Sequence, residues 1–209
     1  MTRAQENKRT REQGGGKNIA IFGGSFDPPH MGHLFVSLYV YTCFNIDETW
    51  ILPCFSHPLE KKYSSSYNDR LKMCKLAFSN LKKNKIKVLD TERKLASSDK
   101  KNYTIDTVQY LKKQNSNNEF YLIIGDDILN EAYKWKDFEQ LSKLVNIILI
   151  KRHLKIKKRN ENFTNFALQM PKVSSSNIRE LIFENIEIDG LVCNEVKKYI
   201  KEKKLYLKK

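Results

Sequence analysis

Short apolar runs recur along this chain at intervals that leave room for a helix between them. Three of the runs are Asn18–Phe22 (NIAIF), Phe120–Ile124 (FYLII) and Val145–Ile150 (VNIILI). Apolar runs of this length, bounded by glycine or by polar residues, are typical of strands that are covered on both faces. Strands that alternate with helices predict an α/β fold, in which an open parallel sheet carries helices on both faces.

The segments between these runs complete the prediction of secondary structure. Further strands are expected at 48–52, 85–90 and 166–170, and helices at 33–44, 68–80, 104–113, 174–183 and 191–203. The first helix is apolar nearly all round, which predicts packing between the sheet and another layer. Asn68 or Asp69 is the expected N-cap of the second helix. Val192, Val196, Tyr199 and Ile200 form one apolar stripe on the last helix.

The length and the charge distribution predict one domain with a basic arm. A chain of 209 residues favours a single domain, here 18–209, and a Gly14–Gly16 hinge separates it from a basic arm at 1–17. The net charge of +14 suggests a nucleic-acid partner, but the excess lies in 1–17, 151–159 and 197–209. The other 170 residues carry 20 basic and 21 acidic side chains. We therefore expect solvated tails and one solvated loop, and a nucleic-acid partner is disfavoured.

The cysteines and the hydropathy pattern predict a soluble cytoplasmic protein. Cys43, Cys54, Cys74 and Cys193 form no CxxC pair and have no histidine at a metal-ligand interval. We expect them to be reduced thiols, mostly buried, with no structural zinc. No apolar segment is long enough to span a bilayer, and the first seventeen residues do not resemble a secretory signal. No membrane partner is therefore expected.

The segment Gly23–His33 (GGSFDPPHMGH) directly follows the first predicted strand. Ligands of open parallel sheets bind at the carboxyl ends of the strands, where the strand order reverses. Two glycines allow the backbone to approach a phosphate, and the following helix start offers free N–H groups to an anion. His30 and His33 are three residues apart, so their imidazoles are expected on one side of the helix start, where they can donate hydrogen bonds to developing phosphate charge. Taken alone, the pair would fit equally well as two helix-start histidines bonded to the backbone.

A second phosphate-binding pattern lies at 174–179 (SSSNIR). Three hydroxyls at a helix N-terminus and an arginine one turn later can clamp triphosphate oxygens, because the guanidinium binds two oxygens at once. An ordinary N-cap followed by a surface arginine is the alternative.

Together these motifs resemble the HxGH nucleotidylyltransferase superfamily, whose fold is a Rossmann-like parallel sheet. Asn102–Thr107 (NYTIDT), Ile123–Ile128 (IIGDDI) and Trp135 are similar to the bacterial-type nicotinate mononucleotide adenylyltransferase family. This resemblance runs from about residue 18 to 206. The family usually has Pro-Pro-His-Lys after the second strand, whereas here the lysine is displaced to position 61 or 62, and which of the two serves is left open.

The resemblance implies transfer of the AMP group of ATP to nicotinate mononucleotide, which yields nicotinate adenine dinucleotide (deamido-NAD) and pyrophosphate, with Mg²⁺ bound to the ATP. It assigns charge stabilisation to His30, His33 and Arg179. The residues that it assigns to ATP are Gly23, Gly24, Ser25, Phe26, His30, His33, Gly125, Asp127, Ser174, Ser175, Ser176, Ile178 and Arg179. The residues that it assigns to the mononucleotide are Ser25, Lys61, Lys62, Tyr103, Thr104, Asp127 and Trp135.

Two alternative functions have distinguishing features. Another nucleotidylyltransferase of this fold would use phosphopantetheine, glycerol phosphate, choline phosphate or nicotinamide mononucleotide, and such enzymes typically lack the NYTIDT and GDD…W set. An RNA-binding protein would use the basic loop and tails, since HxGH also occurs in class I aminoacyl-tRNA synthetases. The near-neutral body disfavours it. The sequence decides neither between acid and amide mononucleotides nor whether the protein is a homo-oligomer.

Overall fold

A parallel β-sheet forms the centre of the computed structural model, which describes residues 15–56, 62–82, 84–96, 102–125, 135–151, 163–167 and 173–208. Six strands form it: β1 (Asn18–Gly24), β2 (Glu48–Pro53), β3 (Ile86–Val88), β4 (Glu119–Gly125), β5 (Asn146–Lys151) and β6 (Phe163–Ala167). Their order is β3-β2-β1-β4-β5-β6, and each neighbouring pair is parallel. The order reverses between β1 and β4, so the predicted open parallel sheet is confirmed and its crevice lies at the end of β1.

Helices connect the strands and follow them. They are α1 (Met31–Cys43), α2 (Tyr67–Phe78), α3 (Thr91–Leu95), α4 (Thr104–Gln114), α5 (Phe138–Leu144), α6 (Ser175–Phe183) and α7 (Asn194–Glu202). The five predicted helices are confirmed within about three residues at each end. The prediction missed α3 and α5, because segments of five and seven residues are too short to establish an apolar period. Within the described ranges, no helix is both long enough and apolar enough to cross a membrane.

The sheet is covered on both faces, as the apolar strands predicted. On one face, Ile19 and Ile21 of β1 pack in a cluster with Ile105 of α4 and Leu141 of α5. On the other, Ile51 of β2 belongs to a cluster with side chains of α2, α6 and α7, and Ala20 packs with Val36 and Val40 of α1. Neighbouring residues of β1 therefore serve opposite faces, which places the strand between two layers of helices.

Several predictions about surface and boundaries are wrong. The helix α1 has an exposed side, with Met31 at 42% and Phe35 at 47% of full exposure, because only the face that carries Val36 and Val40 meets the sheet. The N-cap of α2 is Ser66, whose hydroxyl accepts a hydrogen bond from the Asp69 backbone N–H at 3.1 Å, and neither Asn68 nor Asp69 fills that place.

The cysteines and two strands also depart from the prediction. All four thiols are free, but only Cys74 is buried, while Cys54 and Cys193 are half-buried and Cys43 is exposed near the end of the open side of α1. The strand expected at 85–90 pairs only over Ile86–Val88. The last strand lies at Phe163–Ala167, earlier than the expected 166–170, because its register is set by pairing with β5.

Candidate active site

The loop that joins β1 to α1 lines the crevice. A Cβ atom added at Gly23 would meet no atom within 4 Å, so open space lies beside this glycine. At Gly24 the same atom would lie 3.2 Å from the ring of Phe26, which packs against the glycine and is fully buried. Phe26 therefore supports the loop from below, and its side chain does not line the crevice.

The predicted histidine pair comes together at the start of α1. The ring centroids of His30 and His33 are 3.7 Å apart with an angle of 32° between the planes. The His30 backbone N–H donates to Nδ1 of His33 at 3.1 Å, which closes the helix N-terminus. Because Nδ1 accepts this bond, the neutral His33 ring carries its proton on Nε2. His33 thus caps the helix and also keeps an N–H donor on the ring edge away from the cap.

The second predicted motif docks onto this loop. Ser175 Oγ donates to the Pro28 carbonyl at 2.8 Å, across 147 residues of sequence. Arg179 donates from Nη1 to the Asp27 carbonyl at 2.7 Å and from Nη2 to Ser176 Oγ at 3.2 Å. Two segments that the sequence separates by about 150 residues therefore form one continuous surface.

Other members of the 174–179 motif have structural roles. Ser174 is the N-cap of α6, since its hydroxyl accepts from the Asn177 backbone N–H at 3.2 Å. Ile178 is fully buried in the core between α6 and α7, so its side chain packs and does not reach the crevice. Ser176 is exposed beside the Arg179 guanidinium.

Asp27 is buried at this site and binds several segments that are distant in sequence, which the sequence analysis did not identify. Its carboxylate accepts hydrogen bonds from the Ser64 backbone N–H at 2.6 Å, from Ser65 Oγ at 2.5 Å and from the Tyr206 hydroxyl at 2.7 Å. Asp27 is only 3% exposed. Burial, with the negative charge of Asp27, raises the pKa of Tyr206 well above its ordinary value, so the phenol stays a donor. The partners lie 37 to 179 residues away, and no local pattern points to them.

An aromatic wall lies at the N-terminus of α4. Tyr103 is the N-cap residue of that helix and Thr104 its first residue. Tyr103 and Trp135 are both half-buried and pack on the same core cluster, where the Trp135 ring meets Phe138 edge-on at 6.1 Å. Lys136 Nζ sits 4.8 Å from the centroid of the Tyr103 ring. The two aromatic residues expected to surround a pyridine ring therefore pack against the same core cluster.

The remaining predicted residues are placed only in part. Gly125 is the last residue of β4, opposite Ile150 of β5, at the carboxyl edge of the sheet. Ser25 is half-buried in the loop, and Lys62 is exposed. Asp127 and Lys61 lie outside the described residues.

The fold and the site together define a class of protein. The sheet reverses its order beside β1, and a glycine loop, two adjacent imidazoles and an arginine lie there, which suits the binding of a nucleoside triphosphate. In agreement, residues 21–181 match the cytidylyltransferase-like family.

Comparison with known proteins narrows this class. The nicotinate-nucleotide adenylyltransferase of Bacillus subtilis strain 168 is 34% identical over 203 residues, covering 91% of this chain and 98% of that protein. A probable nicotinate-nucleotide adenylyltransferase of Anaeromyxobacter sp. strain K is 33% identical over 192 residues, covering 92% and 98%. Plasmodium falciparum nicotinic acid mononucleotide adenylyltransferase complexed with NaAD superposes with a TM-score of 0.78 and 25% identity, covering 91% of this chain and 97% of the other. The chain belongs to the nicotinate-nucleotide adenylyltransferase family.

Proposed function

We propose that this protein transfers the AMP group of ATP to nicotinate mononucleotide and releases pyrophosphate, which forms deamido-NAD for NAD biosynthesis. The observation that carries the proposal is the docking of Ser175 and Arg179 on the loop that holds the two histidines. This arrangement surrounds one crevice with the donors that a triphosphate needs. The nicotinate-nucleotide relatives, and a solved neighbour complexed with NaAD, support the choice of acceptor.

The chemistry that fits this crevice is an in-line displacement. A phosphate oxygen of the mononucleotide attacks the α-phosphorus of ATP, the bond from that phosphorus to the bridging oxygen breaks, and pyrophosphate leaves with the electron pair. The attacking oxygen is already an anion, so no general base is needed. Catalysis then consists of positioning and of stabilising the charge on the α-phosphate and the leaving group.

The following residues are assigned to stabilising the charge on the α-phosphate and the leaving group. His33 offers Nε2–H, because its Nδ1 is held by the His30 backbone. Arg179 and the α6 N-terminus serve the triphosphate, and Gly23, Gly24 and Ser25 hold phosphate through the backbone and the Ser25 hydroxyl. His30 is 4% exposed, and its ring lies against that of His33 with a distance of 3.7 Å between the centroids.

The acceptor is assigned to the side of the crevice that carries the aromatic wall. Tyr103 and Trp135 suit an electron-poor pyridine ring, and the start of α4 at Thr104 offers backbone and hydroxyl donors to its carboxylate. Lys61 or Lys62 is assigned to the mononucleotide phosphate, and Asp127 to a ribose hydroxyl or to Mg²⁺ through water.

Mg²⁺ is the proposed metal and enters with ATP. In the part of the chain that the structure describes, no three His, Cys, Asp or Glu side chains are grouped as metal ligands. Mg²⁺ is commonly held by substrate phosphate oxygens and water, so the triphosphate itself can supply most of its ligands. When bound, the ion neutralises charge on the leaving pyrophosphate.

The decisive experiment measures pyrophosphate release from Mg-ATP with nicotinate mononucleotide and nicotinamide mononucleotide in parallel, with the product identified by mass. Faster turnover of the acid form is the expected result. If neither mononucleotide reacts while ATP still binds, the acceptor assignment is wrong, and phosphorylated alcohols are the next candidates. Binding of RNA with an affinity that falls by decades between low and moderate salt would instead favour the RNA-binding alternative.

Further properties stay predictions. We expect a cytoplasmic enzyme with no membrane or nucleic-acid partner, a basic arm at 1–17 and one domain at 18–209. A homo-oligomer is compatible with this assignment, and size-exclusion chromatography with light scattering measures it directly.

A further inference from the structure

Two ionisable residues, one buried and one half-buried, lie beside the crevice and have no role in the reaction described above. Arg70 of α2 is 1% exposed, although arginine is rarely buried to this degree. Glu92 of α3 is half-buried as a residue. Burial raises the pKa of Glu92 to about 7, against the lowering effects of the Phe55 N–H and the Arg70 guanidinium. Such a pair is costly to bury unless each charge is well bonded.

Both residues bind the same peptide group, the one that follows β2. Arg70 Nη1 donates to the Cys54 carbonyl at 2.7 Å, and the Phe55 N–H donates to Glu92 Oε2 at 2.9 Å. The carbonyl and the N–H of a trans peptide point in opposite directions, so a cation holds one edge of this peptide and a carboxylate the other. The Cys54–Phe55 peptide is therefore fixed in both position and rotation.

The same two residues connect this peptide to both sides of the crevice. Arg70 Nη1 also donates to the Ser25 carbonyl at 2.9 Å, and the Cys54 N–H donates to the Gly24 carbonyl at 2.9 Å, so the phosphate loop is joined to the peptide. On the other side, Asn102 Nδ2 donates to the Glu92 carbonyl at 2.5 Å, and Asn102 directly precedes the aromatic Tyr103. Arg70 thus contacts the ATP side, whereas Glu92 contacts the mononucleotide side.

The guanidinium is also held from its face. The Tyr63 ring lies 3.7 Å from the Arg70 guanidinium carbon, and the Tyr67 ring lies at 5.4 Å. Arg70 Nε is buried and has no hydrogen-bond partner among the residues that the structure describes. A cluster selected for stability alone would gain by replacing this unsatisfied group with an apolar side chain.

We propose that Arg70 and Glu92 are positioning residues that hold the mononucleotide side of the crevice at a fixed distance from the phosphate loop by clamping the Cys54–Phe55 peptide. This inference rests on the proposed function. Neither residue touches a reacting atom. Arg70 acts through Ser25 and Cys54, and Glu92 acts through Phe55 and Asn102.

The test compares two near-isosteric variants with a control of similar burial. Glu92→Gln replaces the carboxyl that the Phe55 N–H meets with a neutral amide. In assays above pH 7, where that carboxyl is ionised, we expect the KM for nicotinate mononucleotide to rise by roughly tenfold or more, with the KM for ATP unchanged within about twofold. Arg70→Lys cannot bond both carbonyls in the same geometry, so the KM values of both substrates should rise. The control is Glu48→Gln, which alters a 4% exposed carboxylate at the opposite end of β2.

The outcomes separate positioning from a general loss of stability. The control should melt at a lower temperature and keep both KM values when assayed well below its melting temperature. If Glu92→Gln and Arg70→Lys behave like the control, the pair is only structural and the inference fails. If Glu92→Gln does not fold, Arg70→Lys still decides, because unchanged KM values in that variant refute the clamp. Turnover of the wild-type protein, measured first, tests the proposed function separately.

Discussion

The buried hydrogen bond between Tyr206 and Asp27 makes a quantitative prediction about stability. Tyr206→Phe removes only the hydroxyl that donates to the Asp27 carboxylate at 2.7 Å and leaves the ring in place. Asp27 is 3% exposed, and its remaining hydrogen bonds among the described residues come from Ser64 and Ser65, so water cannot readily replace the lost donor. A hydrogen bond to a buried charge contributes about 1.5–3 kcal/mol. We therefore expect the free energy of unfolding to fall by that amount and the melting temperature by about 3–12 °C.

The assay is urea denaturation with thermal melting, and the chain supplies a matched control. The Tyr199 hydroxyl donates to Asp69 at 2.8 Å, nearly the same length, but Asp69 is half-exposed and water can replace the phenol. Tyr199→Phe should therefore cost less than about 1 kcal/mol. Equal losses in the two variants, or no loss in Tyr206→Phe, would show that burial of the Asp27 carboxylate does not set the strength of this bond.

Three further predictions concern the site and the sheet. His30→Ala and His33→Ala should each lower kcat by roughly 10²- to 10³-fold, and the second should also cost about 1 kcal/mol of stability because Nδ1 caps α1; kinetics paired with thermal melts check both effects. Trp135→Ala should raise the KM for nicotinate mononucleotide by about tenfold and leave that for ATP unchanged in steady-state assays. Burial alone would raise the pKa of Glu48, but hydrogen bonds from Lys17, Lys87 and Trp50 lower it to about 2 from an ordinary 4.5. Above pH 4.5, the wild type should therefore unfold with a free energy about 1–2 kcal/mol higher than that of Glu48→Gln, after allowing for the exposed lysine partners. Urea titrations should show that this difference disappears as the pH falls towards 2. If the difference in the free energy of unfolding stays constant over this pH range, ionisation of Glu48 is not its cause.

The sheet and its order of elements were predictable because buried strands and amphipathic helices leave local patterns in the sequence. The apolar composition of Asn18–Phe22 and Phe120–Ile124 was enough to predict two strands, and the structure extends each by one or two residues. Ser66 was missed as a cap because Asn68 and Asp69 are equally good capping residues two and three positions later. A local pattern cannot choose between neighbouring candidates that differ only in tertiary contacts.

The candidate site likewise contains residues that a local sequence pattern identifies and residues that it does not. The loop with His30 and His33 and the 174–179 motif have local signatures, and in the structure a hydrogen bond from Arg179 to the Asp27 carbonyl joins them. The roles assigned to the individual residues stay predictions. Asp27, Arg70 and Glu92 were not identified as buried connectors, because a lone Asp, Arg or Glu in sequence looks like a surface residue. Only the folded structure brings together partners that are far apart along the chain.

The central position of β1 has a consequence for the order of folding. One edge of β1 pairs with β2, about 30 residues later, while the other pairs with β4, where Ile19 lies opposite Phe120. The second pairing closes a loop of about 100 residues, and parallel pairings across such separations form slowly because the chain loses entropy before the contacts are made. We therefore expect β1 and β2 to associate first and the loop at Gly23–His33 to become rigid late, when β4 completes the sheet. A refolding experiment should then show ATP binding appearing after most of the helical signal has returned.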